Sequence, residues 1–213
     1  MKAVVDIETD ALNATKIHCI VAQNYYTGQT WQWVGDGCKR FPEWARGVDE
    51  FIMHNGLSFD APVLNRLLNT RIRRDQVRDT LIESQLYNPV RDGGHSLESW
   101  GKRLSFAKGD FNDFKEYSQD MLLYCLRDTQ LTRRLAVQLE TEGKNFSSKA
   151  YELERNVRVI VDKQQENGFA FDLMKGQLLL AKLEDEQHRL EEWADQTVPP
   201  VNTIQHSKPQ TDS

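Results

Sequence analysis

Strand-length apolar runs near the N-terminus, short strands alternating with helical segments after them, and helical periodicity through the second half predict an α/β protein. The expected architecture is a central mixed sheet flanked by helices, with a C-terminal helical extension. Residues 3–8 (AVVDIE), 17–25 (IHCIVAQNY) and 30–34 (TWQWV) read as strands. Tyr26-Thr27-Gly28-Gln29 fits a tight hairpin loop in which Gly28 supplies the turn. Helical spacing begins at Pro42, and FIMHN (51–55) followed by Gly56 reads as a buried strand ending in a turn. Ser58 is placed to cap a helix over about 59–69, where Pro62 is tolerated because it falls in the first turn. A short segment around Val77 leads into a helix near 80–87, and 97–104 is a further short helix.

Residues 113–141 carry apolar positions that suggest two helices joined near Ser118. Another helix is expected over 147–167, ended by Asn167-Gly168, and a charged one over 173–194. From 195 apolar residues thin out while Pro, Ser and Thr accumulate. The expected organisation is a domain over 1–145, a helical extension over 146–194 and a disordered tail over 195–213.

The 213 residues are 39% hydrophobic and 28% charged, enough to bury a sizeable core. No apolar run approaches the ~20 residues of a membrane span, and MKAVVDIETD lacks the pattern of a signal peptide. Cys19, Cys38 and Cys125 are scattered with no C-x-x-C pair, so neither a disulfide framework nor a zinc site is expected, and a cytoplasmic setting is. With 32 acidic against 27 basic residues, the net charge of −5 argues against a broad basic surface that grips nucleic acid. It leaves open contact with phosphate through bound metal.

Three acidic motifs carry candidate chemistry. Strand alternation puts Asp6 and Glu8 on one face, where they repel unless a hard divalent cation joins them. Taken singly, they are also just two acids at a strand end. Asp60 lies in the first turn of a helix directly after a strand, where the helix dipole alone favours an acid. Tyr124 and Asp128 are four residues apart and share one helical face. An aspartate on that apolar side needs a partner, and Arg127, Arg133 or a lysine would serve.

Together, a strand D-x-E, an acid after a strand-turn and Y-x-x-x-D on a later helix resemble the DEDDy class of 3′–5′ exonucleases. That resemblance implies the ribonuclease-H-like exonuclease fold. HNGLSFDAPVL (54–64), RDTLIESQL (78–86) and GGHSLESWGKRLSFAKGDF (93–111) narrow it to the proofreading domain of family A DNA polymerases of T-seven-like podophages. The stretch His95–Gly109 separates this group from ribonuclease D, and the resemblance covers about residues 3–194. No polymerase palm or fingers follow, which suggests a split or truncated polymerase.

The resemblance implies two divalent ions, Mg2+ with Mn2+ able to substitute. Asp6, Glu8 and Asp128 would hold the first and Asp6 the second, with Asp60 contributing directly or through water. Tyr124 would orient the attacking water. Leu12, Asn13, Asn55 and Phe59 would contact the terminal base or sugar, although Phe59 fits core packing equally well. The implied partners are DNA 3′ ends, single-stranded or frayed, and a separate polymerase polypeptide, in a bacterial host cytoplasm or from a prophage. Two alternatives stand beside this reading: a ribonuclease of the D or T type, and a largely non-catalytic subunit that docks a polymerase.

Several residues call for plainer roles. Asp79 fits a helix cap, His54 and Cys125 fit packing, and His95 fits loop orientation. Arg71, Arg73 and Arg74 either guide phosphate or form a solvated loop. The tryptophans at 31, 33, 44, 100 and 193 are too dispersed in sequence for a binding stripe.

Overall fold

The structure is a computed structural model and describes residues 1–198. It contains two compact units, Met1–Glu166 and a second that begins at Asn167. The first is built on a five-stranded sheet of order β3-β2-β1-β4-β5. β1 (Lys2–Thr9), β2 (Ile17–Asn24) and β3 (Thr30–Val34) pair antiparallel, while β4 (Glu50–Met53) and β5 (Val77–Asp79) add parallel to β1. The sheet is therefore mixed, as expected. The β2–β3 turn is held by Asn24, whose Oδ1 accepts from the Tyr26 and Thr27 amides at 2.9 Å.

Alternation along β1 divides the interior. Ala3, Val5 and Ile7 join the large core on one face, with Ile20, Phe51 and Met53. That core is covered by α1 (Phe41–Ala45) and α2 (Asp60–Leu68), which contribute Phe41, Ala45, Ala61 and Leu64. Trp31, Trp33 and Trp44 converge there, with Trp33 and Trp44 5.0 Å apart. These three rings, dispersed in sequence, are a packed cluster because β3 and α1 lie side by side.

The other face is covered by α5 (Gln119–Glu142), whose Met121, Leu122 and Cys125 pack on Cys19 and Val21. α3 (Thr80–Tyr87) and α4 (Leu97–Arg103) flank α5, and Trp100 is buried with Leu131, Leu135 and Leu139. α6 (Ser148–Asn167) ties back to the sheet, since Tyr151 Oη accepts from the Asp79 amide at 2.6 Å. In the second unit, α7 (Leu173–Thr197) is capped by Asp172, which accepts from the Lys175 amide. The helix continues past the expected end at 194, and the rest of the expected tail, 199–213, lies outside the described residues.

Two local expectations are corrected. Residues 113–141 hold one helix, α5, rather than two: it begins at Gln119, because Ser118 is an N-cap whose Oγ accepts from the Met121 amide at 3.1 Å. Phe111 and Phe114, the apolar residues before it, pack on the core as irregular chain. Ser58 does not cap α2. Its hydroxyl donates to Asp162 on α6 at 2.7 Å, and Phe59 occupies the cap position without a side-chain bond.

β5, α3 and α5 are joined by one largely buried guanidinium. Arg78 makes two bonds to Glu83, at 2.9 and 3.1 Å, and one to Glu140 at 2.9 Å. Removing it strands Glu83 in the interior, so Arg78→Ala is expected to cost about 3–5 kcal/mol in urea unfolding. A loss below about 1 kcal/mol, the scale of an exposed pair, would contradict this role.

Candidate active site

The parallel strands β1 and β4 bring the acidic motifs to one end of the sheet. Asp6 and Glu8 lie on the α5 side of β1, directly across from Val21 and Cys19 of β2. The register slips between Glu8 and Thr9, a bulge that ends regular pairing beside these acids. β4 leads through the turn 54–59 into α2, whose first residue is Asp60. The turn is tight: Asn55 adopts φ 66°, and its amide donates to Asp79 Oδ1 at 2.9 Å. A Cβ at Gly56 would come within 2.2 Å of Met53 Cβ, so only glycine fits there. α5 supplies Tyr124 and Asp128 from the opposite side.

Asp6, Glu8 and Cys125 each offer a ligand atom within 4.8 Å of the others. Asp6 is half-buried, while Glu8, Asp60 and Asp128 are buried. Burial, with the charges of Glu8, Asp60 and Asp128, raises the Asp6 carboxyl well above the ordinary range. Burial, then Asp128 and Asp60, pushes Glu8 up to about 8, against the pull of Lys108. Burial pushes Asp60 up to about 7 and also raises Asp128. Glu8 and Asp60 ionise fully at neutral pH only if positive charge joins them.

Lys108 provides some. Its Nζ lies 3.0 Å from Asp128 Oδ2 and 5.0 Å from the centre of the Tyr124 ring. Asp128 Oδ1 is buried and has no hydrogen-bond partner. Packed carboxylates with raised pKa values and an orphaned carboxylate oxygen are hard oxygen donors, and they suit Mg2+ or Mn2+. Tyr124 stacks near Phe111 and Phe114, and its hydroxyl pKa is raised by burial, so it remains a phenol at neutral pH.

The other expected positions divide. Leu12 and Asn13 sit just beyond β1 in an exposed turn held by Asp10, which accepts from the Thr15 and Lys16 amides. Leu12 is 91% exposed. Phe59 packs against the large core at the start of α2. Asp79 caps α3 and also binds the turn, accepting from the Leu81, Asn55 and Leu57 amides. His54 is paired with Thr80 at 2.9 Å, and burial lowers its pKa to about 4. His95 Nδ1 lies 2.8 Å from Ser84 Oγ, which orients the loop before α4.

Arg71, Arg73 and Arg74 lie between the C-terminus of α2 and the start of β5, at the end of the sheet away from Asp60. Arg73 is bound to Asp75 there, so the cluster does not reach the acids. Sequence reasoning allowed a lysine as the partner of Asp128 but did not single out Lys108, which enters from an irregular segment. It also missed how close Cys125 stands to Asp6, whose carbonyl accepts from its thiol at 3.5 Å.

The sheet order and its flanking helices thus define a mixed five-stranded α/β fold, the class the sequence predicts, and solved structures share it. No family model matches the chain. It is similar to the DNA-directed DNA polymerase of Escherichia phage T7, at 26% identity over 232 residues covering 78% of this chain and 33% of that protein. The corresponding polymerase of Enterobacteria phage T3 is 25% identical over 231 residues, with the same shares. The chain therefore spans about a third of the length of the curated relatives it matches. Among solved structures, Brucella melitensis NrnC with bound Mg2+ superposes with a TM-score of 0.62 at 21% identity, covering 80% of this chain and 89% of that one. The same protein bound to pGG gives 0.60 at 21% identity, covering 81% and 85%.

The raised carboxyls predict a pH dependence. Folded Glu8 and Asp60 hold protons that the unfolded chain, with carboxyl pKa values near about 4, has released. The native state therefore binds more protons, and metal-free stability falls as pH rises through 7 to 8. His54 has the opposite sign, but its effect ends by about pH 6.5. In EDTA the melting temperature is expected to drop between about pH 6.5 and 8.5, and saturating Mg2+ to remove that drop. A flat or rising profile in EDTA would contradict it.

Proposed function

We propose that this chain is a metal-dependent 3′–5′ exonuclease that releases nucleoside 5′-monophosphates from DNA ends. The observation that carries the reading is the acid cluster: Asp6 and Glu8 of β1 close to Asp60 and Asp128, four acids that a single ammonium, Lys108, offsets only in part. The similarity to the two phage DNA polymerases supports DNA as the substrate. By the same similarity, the role is proofreading for a replicative polymerase, carried on the same or a separate polypeptide.

In this reading Asp6, Glu8 and Asp128 would hold one divalent cation, and Asp6 with Asp60 a second. When bound, the cations supply Lewis acidity and offset the negative charge of the phosphate and of the site. The chain's own groups do the positioning. Tyr124, a phenol at neutral pH, hydrogen-bonds the attacking water and aims it at phosphorus in line with the 3′ oxygen. Water adds to phosphorus, the bond from phosphorus to the 3′ oxygen breaks, and that oxygen takes up a proton. Leu12, exposed beside β1, and Asn13 engage the terminal base, as do Asn55 and Phe59 of the 54–59 turn. Contacts to unpaired bases worth ~1–3 kcal/mol each favour frayed ends.

A second reading, hydrolysis of RNA or short oligonucleotides, draws support from the fold neighbour bound to pGG. Parallel assays on DNA and RNA of one sequence separate the two.

Asp6→Ala or Asp128→Ala is expected to abolish release of mononucleotides from a labelled single strand with Mg2+. Tyr124→Phe should slow it by about 10²-fold or more while divalent-ion binding, read by calorimetry, persists. Wild-type protein that binds Mg2+ yet leaves both DNA and RNA strands intact would sink the proposal.

A further inference from the structure

Lys108 is not a loose surface lysine. The irregular chain that carries it is fastened on both sides. The Phe106 amide donates to the Gly101 carbonyl at 2.9 Å, and Arg127 Nε on α5 donates to the Ala107 carbonyl at 2.9 Å. The Phe106 ring lies beneath the guanidiniums of Arg127 and Arg134, 3.3 and 3.9 Å from its centre. A Cβ at Gly101 would stand 3.0 Å from the Lys108 amide, so the segment can approach α4 only at a glycine. Gly109 lies against Tyr124, where an added Cβ would be 3.0 Å from the ring.

These ties aim one ammonium into the acid cluster. Among the described residues, no other cation forms an ion pair with Asp6, Glu8, Asp60 or Asp128. Lys108 nevertheless keeps an outlet, with its side chain 26% exposed against 5% for Asp128. Its four-carbon stem lets Nζ leave Asp128 without moving the backbone. A divalent cation on Asp128 would take over the charge that Lys108 now balances. The ammonium would then face the next anion to arrive, the phosphate at the strand end.

We propose that Lys108 is a catalytic residue of this site: it holds Asp128 in the metal-free chain and turns to a non-bridging oxygen of the scissile phosphate when cations and substrate bind. The assignment rests on the exonuclease reading above. The contact would strengthen as charge gathers on the phosphoryl oxygens in the transition state, so it acts on kcat more than on KM.

The test uses full-length protein carrying Lys108→Met or Lys108→Arg, with two readouts. Calorimetric titration of Mn2+ without nucleic acid is expected to show several-fold tighter binding in Lys108→Met, because no ammonium competes for Asp128. With Mg2+ and a DNA oligonucleotide, Lys108→Met should lose about 10²-fold or more in kcat, with KM little changed. Lys108→Arg keeps the charge, controls for folding, and should regain part of kcat. Wild-type kcat in Lys108→Met overturns the assignment. So does a slow Lys108→Met whose Mn2+ affinity is unchanged or weaker, or a Lys108→Arg as slow as the methionine variant. Wild-type protein that cleaves neither DNA nor RNA removes the exonuclease reading and this contact with it, whereas an active wild type matched by Lys108→Met removes only the contact.

Discussion

Two carboxylates two residues apart on an inner strand repel each other, and the structure around β1 is organised by that repulsion. Asp6 and Glu8 point to the same side of the sheet because a strand alternates. Asp60 and Asp128 approach from α2 and α5 and add to the repulsion on Asp6. In a protein interior such a cluster is costly unless something positive enters it. The chain itself supplies one ammonium, Lys108, and leaves Asp128 Oδ1 without a partner. The imbalance is a specification for added positive charge.

The scaffold is built to hold these groups against their preference to separate. β1 has three other residues, Ala3, Val5 and Ile7, locked into the large core on its far face, so the acids cannot rotate away. α2 cannot retreat because its approach runs over Gly56, in contact with Met53, and is pinned by Asp79. α5 is fixed through Met121, Leu122 and Cys125 at its N-terminal end and through Leu131, Leu135 and Leu139 further on. The second end of that helix is joined to β5 by Arg78 and Glu140. Packing on both sides of the sheet thus converts hydrophobic burial into fixed placement of like charges, which is how sites of this kind are held ready before a ligand arrives.

Much of this was readable from the sequence, for physical reasons. The period of two placed Asp6 and Glu8 together, and the four-residue spacing placed Tyr124 over Asp128. Asp79 was legible as a cap because it stands directly before Thr80 at a helix start, although its bonds to the 55–57 turn were not. What escaped depends on contacts between distant segments. Lys108 meets Asp128 only because irregular chain folds back on α5, and no local periodicity encodes that. Ser58 had the composition of a cap, yet Asp162, 104 residues on, offered its hydroxyl a charged acceptor. Phe114 matched a helical pattern but packs on the core from irregular chain, and Ser118 starts the helix instead. The tryptophans looked scattered because β3 and α1 are separated along the chain and adjacent in space.

Positive charge entering between β1 and α5 is the condition on which the site depends. Crystals of the wild-type protein soaked in Mn2+ at neutral pH, with anomalous differences collected at the manganese edge, test this directly. A peak bounded by Asp6, Glu8 and Asp128 is expected, with Lys108 withdrawn from Asp128. A fully soaked crystal with no peak among these carboxylates, and with Lys108 still paired to Asp128, would contradict it.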